Sequence, residues 1–387
     1  MFKVRTFNAI PNIINDVLEE GRYSISPTEE APDAVIVRSQ NLHSYQFPPS
    51  LLAIARAGAG VNTIPVDECS KRGIVVFNTP GANANAVKEM TIMALIMTAR
   101  NAIEAVEWTK GLNGDDVAEQ AEKGKGQFAG NELIGKTLGI IGLGATGAMV
   151  AQAALSLGMN VMGVDPHMSL HSAWKLNSKV KPASEEELIR LSDFITIHAP
   201  LTDETKGKYD EEFISKTKKG VVLLNFSRAA IGSPEALKKA LDSGHVKKYV
   251  VDFPTKELLN YPGVLSFPHL ASGTAEAEDN CAYMAAEEIK EYLENGNIRN
   301  SVNFPSCEFS ECTSASRIGV LHRNLPKMLN RITTLISSSG NINIEKLSNV
   351  SQGEFAYTIV DIDYPLEFEG IEKIKAIEHV VLARKIK

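Results

Sequence analysis

TLGIIGLGATGAMVAQAALSLGMNVMGVD, residues 137–165, decides the fold. An apolar strand, Thr137–Leu143, meets a glycine-rich turn, then a helical stretch, Ala148–Leu157, then a second strand, Asn160–Asp165. By itself a G-x-G-x-x-G string is weak, since glycine-rich turns are common. Between a strand and a helix it is the arrangement that cradles a dinucleotide. Gly142 permits the tight turn, and Gly144 lets backbone N–H groups approach a pyrophosphate. Gly147 lets the helix pack close to the strand, with its N-terminus aimed at negative charge. Asp165 then stands where a carboxylate accepts hydrogen bonds from ribose hydroxyls and repels a 2'-phosphate, so NAD is expected over NADP.

The same alternation extends in both directions. Downstream, Phe194–His198, Val221–Asn225, Tyr249–Asp252 and Val264–Phe267 are strand-like, and nearly continuous apolar runs such as VVLLNF suit strands buried on both faces. Upstream, Lys3–Phe7, Ala34–Arg38, Leu52–Arg56 and Ile74–Asn78 are short apolar strands, and Ala84–Arg100 is a long helix. A polar interval, Gly111–Asn131, separates the two sets. Thr274–Asn295, rich in Ala and Glu, forms one helix stopped by Gly296. After a Pro- and Ser-containing linker the tail changes to a βαββαβ order: strand Arg317–His322, helix Lys327–Ser338, paired strands Ile342–Leu347 and Phe355–Asp361, helix Glu367–Ile377 and strand Val380–Ile386.

Composition narrows the function. With 387 residues, 44% of them hydrophobic and 22% charged, the chain can bury several cores. A net charge of -7 argues against a general nucleic-acid or membrane surface. Four scattered cysteines suit neither a disulfide framework nor a zinc site, so no metal is expected. Neither a signal-peptide core nor a run of eighteen apolar residues occurs, which points to the cytoplasm. A P-loop-like string, Gly130–Thr137, is set aside because it follows a polar segment and enters a strand, where phosphate cradling needs the reverse order.

Three residues follow the carboxyl ends of expected strands, where open parallel sheets bind ligands. They are Arg228 after VVLLNFS, Glu257 after VVDFP and His269 after VLSFP. Singly, each has a bland explanation as a solvated surface group. Jointly, behind a dinucleotide fold, they supply what hydride transfer at a 2-hydroxy acid needs. An imidazole moves the hydroxyl proton, a carboxylate favours and orients the imidazolium, and a guanidinium forks onto the substrate carboxylate.

At this point the chain resembles the D-2-hydroxyacid dehydrogenase family. The resemblance is carried by IIGLGATG with Asp165-Pro166, ITIHAPLTDET (195–205), NFSRAAI (225–231), VDFPTKE (251–257) and FPHLASGTAEA (267–277). VRSQ (37–40), RAGAGVNTIPVDECSKRGIVVFNTPGANANAV (56–87) and GKTLGIIGLG (135–144) are most similar to the branch that oxidises 3-phospho-D-glycerate to 3-phosphohydroxypyruvate, the entry to L-serine synthesis. LHRNLPKML (321–329) and GNINIEKL (340–347) look like a regulatory ACT domain.

The resemblance implies an α/β chain with two doubly wound parallel-sheet domains and a ferredoxin-like ACT domain of βαββαβ order. A flavodoxin-like substrate domain would take residues 1–100 and 272–300, and a Rossmann domain 101–271. A linker at 301–315 would lead to the ACT-like domain at 316–387. The active site would lie between the first two. Arg228 would orient substrate, His269 would be the acid/base and Glu257 its carboxylate partner. Ala145, Thr146 and Asp165 would line the adenosine side of NAD, with Ala199, Pro200, Phe226, Ser227, Arg228, Asp252 and His269 around the rest of the cofactor. Arg38, Ser39, Arg56 and Asn83 would hold the substrate's carboxylate and phosphate. A homodimer or homotetramer is implied, as is an L-serine effector bound between subunits at His322, Asn324 and Asn343.

Departures from the family pattern accompany these assignments. Ala229 and Ala230 follow the arginine where glycine is usual, and Lys327 occupies a turn-glycine position. VDFPTKE is one residue short, which leaves Lys256 and Glu257 competing for the acidic position. Two rivals remain open: a sister dehydrogenase for erythronate 4-phosphate, glycerate or lactate, and a non-enzymatic NAD-sensing protein of the same fold.

Overall fold

The computed structural model describes residues 1–169, 173–174, 176–338, 342–365 and 368–387. The chain divides into two compact units, Met1–Ala82 with Glu278–Lys387, and Asn83–Ala277.

The second unit is built on β6 (Thr137–Ile141), β7 (Asn160–Val164), β8 (Lys181–Pro182), β9 (Phe194–Ile197), β10 (Val221–Asn225), β11 (Val246–Val251) and β12 (Val264–Ser266). Their order is β12-β11-β10-β9-β6-β7-β8, and every pairing is parallel. That is the doubly wound Rossmann order, with its topological switch between β6 and β9. All five residues of β10 are buried, as a strand covered on both faces requires. Val222, Leu224 and Val250 face one apolar layer, and Leu223, Tyr249 and Val251 face the other. Each such aliphatic side chain contributes roughly 1.5–3 kcal/mol on burial. Helix Ala84–Ala99, expected with the first domain, belongs here and packs against helix Ala145–Ser156. Its small, apolar positions Ala94, Leu95 and Ala99 join the core of the second sheet.

The first unit carries β1 (Phe2–Phe7), β2 (Tyr23–Ser26), β3 (Ala34–Val37), β4 (Ala53–Arg56) and β5 (Val75–Asn78) in the parallel order β2-β1-β3-β4-β5. This is flavodoxin-like. Sequence reading overlooked β2, a short and partly polar edge strand. Its long helix is Ala275–Lys290, followed by a π turn at Glu291–Asn295 and closed by Gly296 at φ 76°.

The tail forms β13 (Ser316–Arg323), β14 (Ile344–Gln352), β15 (Phe355–Ile362) and β16 (Val380–Lys385), antiparallel in the order β14-β15-β13-β16. Helices Met328–Ser338 and Phe368–Lys375 complete the βαββαβ order. The expectation of a separate domain behind a linker needs correction, because the tail shares a core with the first sheet. Alternation along β15 sends Val360 and Ile362 towards the two tail helices, while Tyr357 and Ile359 pack with Phe77, Tyr292 and Phe304. Both faces of the small sheet are therefore covered. Polar contacts reinforce the joint. The Tyr357 hydroxyl donates to the Gly296 carbonyl at 2.9 Å, and Arg384 donates to the Leu293 carbonyl at 3.2 Å. Arg317, fully buried, forks onto Asp361 at 2.6 and 2.8 Å and also reaches the Asn295 carbonyl.

Candidate active site

The fingerprint turn has the geometry its glycines imply. Gly142 lies at φ 90°, and a Cβ there would come within 2.8 Å of the Ala199 nitrogen. A Cβ on Gly147 would come within 2.0 Å of the Gly142 carbonyl oxygen, so only glycine permits this strand-to-helix approach. Gly144 has no neighbour within 4 Å of a Cβ position and caps helix Ala145–Ser156 without any side chain satisfying the first N–H groups. Open space in front of unsatisfied amides at a helix N-terminus suits a pyrophosphate. Ala145 and Thr146 form the first turn of that helix.

Asp165 closes the adenosine side. Its carboxylate accepts from the Leu143 and His167 N–H groups at 2.9 and 3.0 Å, which fixes it at the carboxyl end of β7. A cavity of about 400 Å³ adjoins it, walled by Leu143, Pro166, Met168, Val180 and Pro182. An apolar cavity with one oriented carboxylate fits an adenosine, whose base is flat and whose ribose offers hydroxyl donors. Ala199 and Pro200 follow β9, across the switch point from the glycine turn.

His269 and Arg228 both lie near the ring of Phe253. The His269 imidazole lies 4.6 Å from the Phe253 ring centre, and the Arg228 guanidinium 5.8 Å from it. The side chains come from the loops after β10, β11 and β12, three adjacent strands. Asn225, at the end of β10, accepts from the N–H groups of Ser227 and Arg228 at 3.1 and 3.2 Å and donates to the Arg228 carbonyl. The Ser227 hydroxyl donates to the Ile197 carbonyl. Phe226 is buried and stacks on Phe267. His269 is exposed and holds the left-handed backbone conformation at φ 54°, uncommon for a non-glycine residue and frequent at functional sites.

Asp252 follows β11 directly and is tied to the loop that carries His269. It is 1% exposed, and its carboxylate accepts from the Leu270 and Ala271 N–H groups at 2.7 and 2.9 Å. Burial lifts the Asp252 carboxyl above its ordinary range, opposed by those two N–H donors and by nearby His269. Glu257 and Lys256 are both exposed, and among the described residues neither bonds to His269. The carboxyl group built into the His269 loop is thus Asp252. Sequence reading missed Phe253 as the ring near both functional groups; the aromatic directly after a strand-end Asp was the available signal.

Arg38, Ser39 and Arg56 belong to the first unit, and Asn83 to the second. Arg38 and Ser39 follow β3, and Arg56 ends β4. Arg38 pairs with Glu278, and Arg56 Nε donates to the Arg38 carbonyl at 3.1 Å. The Arg56 guanidinium lies over Gly58, whose φ of 138° favours glycine. Asn83 stands at the N-terminus of helix Ala84–Ala99. Glu278 was also missed, since nothing local links it to a partner 240 residues away.

The three tail residues expected at an effector site between subunits lie apart within one chain. His322 is buried within the sheet, bonded to the Arg323 carbonyl and the Thr358 hydroxyl. Asn324 follows it and bonds to the Gly353 carbonyl, at the β14–β15 turn. Asn343 donates its N–H to Asp363 beyond the other end of β15. Antiparallel register explains the separation, because His322 faces Ala356 while the strand after Asn343 starts opposite Ile362.

Comparison with known proteins places this geometry. Residues 92–271 match the NAD-binding domain of D-isomer specific 2-hydroxyacid dehydrogenases. The D-3-phosphoglycerate dehydrogenase of Bacillus subtilis (strain 168) is 34% identical over 314 residues, 76% of this chain and 57% of the relative. That of Archaeoglobus fulgidus is 35% identical over 289 residues, 72% and 53% of the two chains. The chain thus spans about half the length of these curated relatives. The NAD+-bound 3-phosphoglycerate dehydrogenase of Entamoeba histolytica superposes with a TM-score of 0.61 at 27% identity, covering 78% of this chain and 98% of that one.

Proposed function

The chain belongs, through the NAD-binding domain at residues 92–271, to the D-isomer specific 2-hydroxyacid dehydrogenase family, and on that premise we propose that it oxidises 3-phospho-D-glycerate to 3-phosphohydroxypyruvate with NAD. In the cell this reaction would open the phosphorylated route to L-serine. The observation that carries the reading is the grouping of His269 and Arg228 about Phe253, at the carboxyl end of an NAD-binding sheet. The substrate assignment is supported by the relatives named for it and by two arginines, Arg38 and Arg56, at the ends of neighbouring strands.

NAD supplies the acceptor for the hydride leaving C2. His269 Nε2 or Nδ1 takes the proton of the C2 hydroxyl as the carbonyl forms and returns it in the reverse direction. Arg228 forks onto the substrate carboxylate and stabilises the developing carbonyl oxygen. Asp252 acts through the backbone, holding Leu270 and Ala271 so that His269 is presented at a fixed angle. Arg38 and Arg56 would bind the phosphate.

The test follows NADH absorbance. The panel is 3-phospho-D-glycerate, D-glycerate, D-lactate and D-erythronate 4-phosphate. Preference for the first, by roughly tenfold or more in kcat/KM, is expected from its charge-assisted phosphate contacts. A preference for an unphosphorylated acid would overturn the substrate, and no turnover with any of them the enzymatic reading.

A further inference from the structure

A cavity of about 560 Å³ lies within the first unit and belongs to none of the machinery described above. Its walls are the end of the 3₁₀ turn Asn12–Asp16, the C-terminal half of helix Ala275–Lys290 with the π turn that follows, and the segment 297–300. π turns are frequent at functional sites.

The lining is acidic beyond its own compensation. Carboxyl groups come from Asp16, Glu287, Glu288, Glu291 and Glu308, and cations only from Lys290 and Arg299. Both cations are engaged. Lys290 lies 3.7 Å from Glu19, and Arg299 forks onto Glu308 at 3.1 and 2.5 Å. Glu291 accepts from the side-chain amides of Asn295 and Asn297. Asp16 and Glu287 are exposed on the rim, where Glu287 is bonded to the Tyr283 hydroxyl.

Glu288 is the second, independent feature. It is 4% exposed, and Oε1 accepts from the Asn300 amide at 2.8 Å. Oε2 is buried and has no hydrogen-bond partner. Burial pushes this carboxyl up to about 8. In the ionised carboxylate, a buried oxygen left unpaired is an acceptor without a donor. An anion is disfavoured by the surrounding carboxylates. A chelated metal is disfavoured because no cluster of three or more His, Cys, Asp or Glu among the described residues could hold one. Val17, Met284 and the Tyr283 ring add apolar wall for a short carbon chain.

We propose that this cavity binds a small aliphatic ammonium ion, with its –NH3+ donating to Glu288 and its carbon chain against Val17, Met284 and Tyr283. The cavity is distinct from the nucleotide cradle and from the His269 loop, so binding would not compete directly with NAD. Arrival of the cation draws the proton off Glu288, so occupancy increases as pH rises towards the ionisation of that carboxyl. Asp16, Glu287, Glu291 and Glu308 act in the same direction as Glu288, and Lys290 and Arg299 against it.

The experiment is calorimetry of the full chain at pH 7.5 with 1,4-diaminobutane, in phosphate and in HEPES, neither of which carries a primary ammonium. Saturable heat that differs between the buffers, reporting proton release, is expected. 1,4-Butanediol should give none, and Glu288→Gln should weaken binding about tenfold or more, since a charge-assisted pair is lost. Absence of saturable heat with the diamine, or unchanged affinity in Glu288→Gln, would overturn the proposal. Should Glu288→Gln not fold, the exposed variants Asp16→Asn and Glu287→Gln decide. Each is expected to weaken binding at least about twofold, and unchanged affinity in both would refute the site.

Discussion

The backbone N–H of His269 donates to the carbonyl of Asp252 at 2.8 Å, and the Asp252 carboxylate accepts from the two residues that follow the histidine. One buried aspartate thus holds three successive backbone groups of the loop that presents the imidazole. This arrangement keeps a left-handed histidine in place, where the backbone alone would favour another conformation.

Asp252→Asn replaces one acceptor oxygen with a donor facing a backbone N–H. Stability should fall by roughly 1–3 kcal/mol, the cost of an unsatisfied buried group. Turnover should fall with little change in NADH affinity. Urea unfolding and NADH fluorescence titration measure the two effects, and wild-type stability would show that the loop does not depend on Asp252.

His269→Ala should reduce kcat by roughly two to four orders of magnitude while NADH still binds, because the imidazole serves the proton. Glu257→Gln is the contrasting variant. Exposed and without a bond to His269, Glu257 should alter kcat/KM and its pH profile only slightly. A displaced acidic limb in Glu257→Gln would instead make Glu257 the partner of His269, and displacement in Lys256→Ala would assign the position to the lysine.

Lys327 adopts φ 70° in the turn before helix Met328–Ser338, and its side chain is exposed. A lysine there bears a steric cost that glycine avoids. Lys327→Gly should therefore stabilise the chain by about 1 kcal/mol, allowing for the freedom glycine adds to the unfolded state. Thermal or chemical unfolding would show it, and a lowered midpoint would mean that the lysine side chain makes a compensating contact.

Glu288 carries a pH signature independent of any ligand. Its carboxyl shifts from an ordinary value of 4.5 to about 8 in the folded chain. Between those values the folded chain holds a proton that the unfolded chain has lost, so stability declines as pH rises. The contribution is complete below 4.5 and gone above about 8. Glu288→Gln removes that slope, and unfolding midpoints at pH 5.5 and 8.5 should converge in the variant relative to wild type. Parallel pH dependence in both proteins would place the titration elsewhere.

Much of the active-site framework was legible along the chain because its signals are local. Strand, glycine turn and helix follow one another between 137 and 165, and the apolar run at 221–225 marks a strand covered on both faces. The placement of Arg228 and His269 just after strand ends was accessible for the same reason. The βαββαβ order of the tail was legible from periodicity, although most strand ends shifted by one or two residues and β14 runs five residues further, to Gln352.

What the sequence determined by itself is therefore the dinucleotide turn, the class of each sheet and the residues at strand termini, all set by chain-local geometry and hydrophobic period. Tertiary structure alone decided which carboxyl group supports the histidine loop. Spacing left Glu257 and Lys256 competing for the position beside the imidazole, whereas burial and the backbone donors of Leu270 and Ala271 tie Asp252 to the loop's backbone. It also decided that the tail is not a free domain, because the second face of its sheet needs Phe77, Tyr292 and Phe304 to exclude water. It separated His322 from Asn343, which share a short stretch of sequence but attach to opposite ends of an antiparallel sheet. The physical reason is common to all three. Hydrophobic burial and hydrogen-bond satisfaction are settled among residues distant in the chain, and a linear pattern records which side chains seek a partner without recording which partner they find.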